Sequence, residues 1–148
     1  MTGASATGVS IRDVVNPPGH YGLCNQNSNK CLAVLASGAY GSRATQTTWG
    51  NFQDQSWHLN DSGALTEIRN DYSGQCLTAQ GYDDGAPVYQ YTCTGLDDQK
   101  WYAHRLSANS TWWVNYHSKK CLLVQGTEEG NPAKQTTCGY FQDQYWDI

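Results

Sequence analysis

The stretch Gln53-Asp54-Gln55-Ser56-Trp57 is written three times in this chain. It returns as Asp97-Asp98-Gln99-Lys100-Trp101 and as Gln142-Asp143-Gln144-Tyr145-Trp146. The tryptophans lie 44 and then 45 residues apart. A fixed period of that size marks an architecture of stacked copies of one unit. Working outward from each tryptophan, Asn25, Asn70 and Asn115 fall in phase, as do Ser28, Ser73 and Ser118. Cys31, Cys76 and Cys121 follow, each with a leucine after it, and then Gln46, Gln90 and Gln135. The units run over about 21–60, 64–106 and 111–148. None alone buries an adequate core, so the three must share one.

No segment carries a helical period. Short runs rich in β-formers, such as Val88-Tyr89-Gln90-Tyr91-Thr92, alternate with Gly, Asn, Asp and Pro. Each unit reads as four short strands. Three units give about twelve, an all-β body with approximate threefold symmetry, closed by pairing of the last strand with the first. Residues 1–10 read as a flexible tail, and 11–148 as a single domain. Ile11–Val15 suits a short strand, and Asn16-Pro17-Pro18-Gly19 a turn.

Side chains alternate along a strand. Leu32 and Val34, Leu77 and Ala79, and Leu122 and Val124 are placed inward. Cys31 and Ala33, Cys76 and Thr78, and Cys121 and Leu123 then face the other way. Trp57, Trp101 and Trp146 are expected in the core, with Gln55, Gln99 and Gln144 bonded to nearby backbone. Gln46, Gln90 and Gln135 are expected as satisfied inward amides.

Composition excludes several functions. Net charge is −4, and the 9 Lys and Arg residues form no stripe, which argues against nucleic acid. No run of 18 apolar residues exists to span a membrane. With 6 Trp and 10 Tyr, the chain is rich in amphipathic rings, suited either to packing or to stacking on a ligand.

The six cysteines point to an oxidising compartment, hence a secreted chain, although Met1–Ala6 has no leader character. Cys76 and Cys93 are 17 residues apart, as are Cys121 and Cys138. The economical pairing is Cys76–Cys93 and Cys121–Cys138. Unit one has Trp49 in place of the second cysteine, which leaves Cys31 to Cys24. The rival reading, metal ligation, lacks zinc-type spacing and any Cys-x-x-Cys. No metal and no cofactor are expected. The four histidines share no repeat phase and no catalytic signature surrounds them, so the chain is not read as an enzyme.

Three Gln-x-Trp signatures in phase with Cys-Leu resemble the ricin B-type (R-type) β-trefoil lectins. The resemblance covers about 128 residues. It implies a β-trefoil: a six-stranded barrel capped by three hairpins, with one shallow sugar pocket possible per unit. It also implies where a pocket would lie. An aspartate stands two residues after the unit's first cysteine, an aromatic two before the second, and an Asn or Asp beside the signature Gln.

Here the aspartate is replaced by Ala33, Thr78 and Leu123, and the aromatic position holds Thr47, Tyr91 and Thr136. The third place keeps Asp54, Asp98 and Asp143. Unit two is therefore the candidate: Tyr91 for stacking, Asp98 as acceptor, Thr78 as a weaker polar group, and Asp84 from the loop 81–85 as replacement carboxylate. The expected partner is a glycan or polysaccharide, with a fused catalytic domain a further possibility. The competing expectation is a sugar-inactive trefoil that docks or inhibits another protein. Exposed rings would serve it: one of Trp112 and Trp113, Tyr140, and Phe141. Trp49 is expected to fill the hole left by the missing disulfide or to stack on a ligand.

Overall fold

A computed structural model describes residues 19–34, 41–59 and 65–147. The expected tail and the expected strand at 11–15 lie outside the described residues, as does the turn at 16–19 apart from Gly19. The described chain forms eleven strands, short as β-formers broken by turn residues should be. They are β1 (His20–Tyr21), β2 (Cys31–Ala33), β3 (Thr45–Thr47), β4 (Trp57–Leu59), β5 (Thr66–Asn70), β6 (Cys76–Ala79), β7 (Val88–Tyr91), β8 (Lys100–Arg105), β9 (Thr111–Asn115), β10 (Cys121–Val124) and β11 (Ala133–Thr136). The three Gln-x-Trp signatures open with 3₁₀ turns at Gln53–Gln55, Asp97–Gln99 and Gln142–Gln144. Among the described residues no helix is long and apolar enough to cross a membrane.

Two kinds of pairing divide the strands. β2–β3, β6–β7 and β10–β11 are hairpins within a unit. Single bridges brace them against one another in all three combinations: Arg43 to Tyr89, Thr45 to Pro132, and Pro87 to Lys134. β1, β4, β5, β8 and β9 pair in succession. Trp146 closes that succession by bridging both Thr111 and Asn25. Trp57 and Trp101 are thus each flanked by two strands, and Trp146 bridges β9 on one side and Asn25 of unit one on the other, so the end of the chain meets the first unit as expected. The architecture is a β-trefoil.

The three tryptophans are wholly buried in one core with Leu32, Ile68, Leu77, Trp113 and Leu122. Burying a polar N–H is costly unless it is bonded. Each indole therefore donates to the carbonyl of the Cys-Leu leucine of its own unit: Trp57 to Leu32 at 2.9 Å, Trp101 to Leu77 at 3.0 Å, Trp146 to Leu122 at 2.9 Å. The signature glutamines hold the loop before the turn. Gln55 accepts from Gly50 N at 2.8 Å and donates to the Thr48 carbonyl at 2.8 Å; Gln99 and Gln144 repeat the pattern. Inward glutamines link units: Gln46 reaches the Glu128 carbonyl at 2.9 Å and Gln135 the Gly81 carbonyl at 3.2 Å. Gln46 Oε1 is the exception to the expected satisfaction, since it is buried with no donor among the described residues.

All three expected disulfides are present: Cys24–Cys31, Cys76–Cys93 and Cys121–Cys138. The free-thiolate requirement of a metal or catalytic cysteine is therefore not met.

Candidate functional site

In unit two the register of β6 and β7 sets Cys76 opposite Tyr91 and Thr78 opposite Tyr89. The two-residue period of a strand puts Tyr89 and Tyr91 on one face of β7. Their rings meet edge to face, 6.3 Å apart at 88°. Tyr91 is 41% exposed and Tyr89 half-buried. Asp98, in the following 3₁₀ turn, is also half-buried. Loss of water pushes its carboxyl above the usual carboxylate range, against the pull of His117 and with a smaller push from Asp97. Desolvation, the Asp98 charge and Tyr91 together push the Tyr89 hydroxyl up. The two tyrosines and the carboxylate therefore form one electrostatic group.

His117, from the turn after β9 in unit three, extends that group. Its ring lies 4.5 Å from that of Tyr82, tilted by 31°. Tyr82 stands in the loop after β6, between Gly81 and Gly85, which hold φ of +82° and +84°. Only glycine adopts that region freely, and no neighbour would obstruct a Cβ at either position. The junction of units two and three thus carries Tyr82, Tyr89, Tyr91, Asp98 and His117. Tyr82, Tyr89 and His117 were not among the expected site residues. Tyr89 has a signal, its two-residue spacing from Tyr91. Tyr82 and His117 have none, because they come together across a unit boundary.

Two expected site residues have partners within the protein. Thr78 is only 2% exposed. Its hydroxyl donates to the Cys76 carbonyl at 3.0 Å and accepts from Gln99 Nε2 at 3.1 Å. Strand parity is right about its face, but the 3₁₀ turn folds over that face, and Ala33 and Leu123 are buried likewise. The Thr78 hydroxyl is thus engaged inside the protein. Asp84 is exposed, but it reaches into unit three. It accepts from Thr137 N at 2.8 Å and Thr137 Oγ1 at 2.9 Å, and lies 3.3 Å from Lys120 Nζ. The Thr137 hydroxyl first, then its N–H, hold the Asp84 carboxyl below its usual range. Glu129 repeats the arrangement on Thr48 N and Oγ1, at 2.8 and 2.9 Å. An acid repeated in phase on an equivalent threonine is a brace between units, which is how Asp84 is read.

The other units differ. In unit one, Thr47 is buried and accepts from Gln55 Nε2 at 2.7 Å. Trp49 lies over Gly22, where a Cβ would come within 2.6 Å of its ring. In unit three, Trp113 enters the core while Trp112 turns outward. Trp112 stacks on His104 at 5.2 Å and on Tyr140 at 5.4 Å, and its N–H donates to the Gly139 carbonyl at 3.2 Å. Tyr140 is 79% and Phe141 65% exposed. Among the described residues one group of three metal-type donors converges, Glu67 with Cys76 and Cys93, but those sulfurs are bonded to each other.

Comparison with known proteins agrees with this architecture. A family model described as "Ricin-type beta-trefoil lectin domain" matches residues 64–148, and one described as "Ricin-type beta-trefoil lectin domain-like" matches 11–91. Among solved structures, a designed threefold-symmetric protein, ThreeFoil, is 30% identical with a TM-score of 0.85, over 87% of this chain and 96% of that one. An exo-β-1,3-galactanase from Clostridium thermocellum is 28% identical with a TM-score of 0.83, over 90% of this chain but 30% of its own length. The hemolytic lectin CEL-III is 27% identical with a TM-score of 0.74, over 86% of this chain and 29% of its own. No curated protein matches the chain.

Proposed function

The chain belongs to the ricin-type β-trefoil lectin family, a family of carbohydrate-binding modules, and we propose that it binds a neutral glycan at the junction of units two and three without catalysing a reaction. The observation that supports this most is the exposed ring of Tyr91 in one electrostatic group with the half-buried Asp98. A pyranose presents an apolar C–H face and a polar rim. Tyr91 offers a flat surface to the first. Asp98 offers acceptor lone pairs to adjacent hydroxyls of the second, in a partly dry setting where such bonds gain strength. Tyr82, whose ring is in tilted contact with that of His117, is read as a second wall. A lone shallow pocket binds weakly, so useful affinity would come from linkage to another module or from several copies. Three disulfides favour an oxidising compartment, and the module is read as part of a secreted protein.

A glycan array, followed by sugar titration read by tryptophan fluorescence, tests the proposal. Binding that disappears in Tyr91→Ala, with the unfolding temperature unchanged, supports it. Binding that survives in Tyr91→Ala removes it.

A second reading rests on the unit-three rings. Tyr140 and Phe141 are the most exposed aromatics of that unit, and Trp112 beneath Tyr140 is held rigid. Pre-ordered aromatics of this kind anchor protein interfaces. No glycan binding, together with a partner lost in Tyr140→Ala, would favour a protein-docking role.

A further inference from the structure

The pairing of β1 with β4 carries a cluster that sugar binding does not use. His20 stands directly opposite His58 in the register, and their ring centres are 4.5 Å apart, tilted by 36°. His20 Nδ1 lies 3.0 and 2.9 Å from the two carboxylate oxygens of Asp71, and Ser56 donates its hydroxyl to the same carboxylate. The order of these groups excludes a hydrolytic triad. There the imidazole sits between nucleophile and carboxylate, whereas here Asp71 sits between Ser56 and His20.

The arrangement is instead that of a supported metal ligand. Metal-bound histidines commonly donate their second ring N–H to a carboxylate, which fixes tautomer and orientation. Asp71 already does this for His20, leaving Nε2 on the opposite edge of the ring. His58 is seated beneath Gly19, where a Cβ would lie 3.4 Å from Cε1 and 3.5 Å from Nδ1. Its Nδ1 is buried with no partner among the described residues, and its Nε2 is not among the buried unpaired atoms there. We propose that His20 and His58 together bind a divalent transition-metal ion of the zinc, nickel or copper type through their Nε2 atoms, with Asp71 as the outer carboxylate of His20.

Imidazole nitrogen suits these ions and not calcium or magnesium, and copper should bind most tightly of the three. Water fills the remaining positions. Among the described residues His58 has no carboxylate partner, and a ligand without one weakens a site about 10- to 100-fold against a fully supported one. The six cysteines are all in disulfides and do not compete. The bound ion would tie β1, the first described strand, to β4.

Isothermal titration of the full chain with ZnCl₂, and retention of the untagged chain on an immobilised-nickel column, test this. One ion per chain is expected, lost in His20→Asn and in His58→Asn and kept in His104→Asn and His117→Asn. Asp71→Asn should weaken affinity about 10- to 100-fold while leaving one ion per chain. Absence of zinc heat with the native chain overturns the proposal. So does retention that persists in the His20→Asn/His58→Asn double variant. An unchanged affinity in Asp71→Asn overturns the part assigned to the carboxylate.

Discussion

Asn25 Nδ2 donates to the main-chain carbonyl of Asp143 at 2.8 Å, although 118 residues separate them. Asn70 makes the same bond to the Asp54 carbonyl at 2.9 Å, and Asn115 to the Asp98 carbonyl at 3.0 Å. Each asparagine also accepts from backbone two residues on in its own turn. These buried amides join one unit's turn to the neighbouring unit's signature, and Asn25 closes the ring. Asn25→Ala should cost about 1–3 kcal/mol, because it leaves the part-buried Asp143 carbonyl without its donor. Asn70→Ala and Asn115→Ala should cost a similar amount. Urea unfolding checks this; a value near zero at Asn25 would mean that the ring is held elsewhere.

The disulfides should differ in worth. Cys76–Cys93 and Cys121–Cys138 each close a span of 17 residues, and Cys24–Cys31 one of 7. Chain-entropy reasoning gives about 3 kcal/mol for each longer loop and about 2 kcal/mol for the shorter. Paired Cys→Ala variants, compared by denaturant midpoint, should rank in that order.

Asp98 links binding to acidity. Burial, the dominant cause, raises its carboxyl above 3.8. An acid that holds its proton more firmly when folded takes stability away as pH rises through the window between 3.8 and its raised folded value. Protonation in the same window removes the acceptor proposed for sugar hydroxyls. On acidification, sugar binding should therefore fade before an ordinary aspartate would protonate, while the fold gains a little stability from this group. Asp98→Asn should bind sugar poorly at neutral pH yet unfold no more easily than the native chain. A pH series of titrations paired with melting curves measures both.

Asp84 has the opposite sign. Its carboxyl is held below 3.8, first by the Thr137 hydroxyl. Its contribution to stability is complete above 3.8 and is lost as pH falls through its lowered folded value. Asp84→Asn should lower the melting temperature at neutral pH, and the gap to the native chain should close in acid. Sugar affinity should change less than about twofold, since the side chain braces Thr137; a tenfold loss would return Asp84 to the pocket.

The trefoil was legible because its architecture is carried by residues that repeat in phase. Trp57, Trp101 and Trp146, the glutamines two residues before them and the cysteine pairs all occupy the places their spacing implied. The site was harder to read for two physical reasons. Parity tells which face of β6 carries Thr78 but not that the Gln99 turn covers that face. Contacts such as Asp84 with Thr137, 53 residues apart, or Tyr82 with His117 arise from neighbouring units and leave no local pattern. Tyr91 and Asp98, the residues proposed for sugar, could be singled out in the sequence because both lie within one unit.

The ring of Trp49 occupies the space that a side chain at position 22 would need. The matching pairs are Glu67 with Cys93 and Trp112 with Cys138, where the strand residue is bulky and its loop neighbour small. Volume at this spot has been traded between two positions rather than added. The exchange cannot be made in one step without a clash or a void, so either half alone, Gly22→Glu or Trp49→Cys, is a worse molecule than both together. Copies of an ancestral unit would drift apart along such linked swaps.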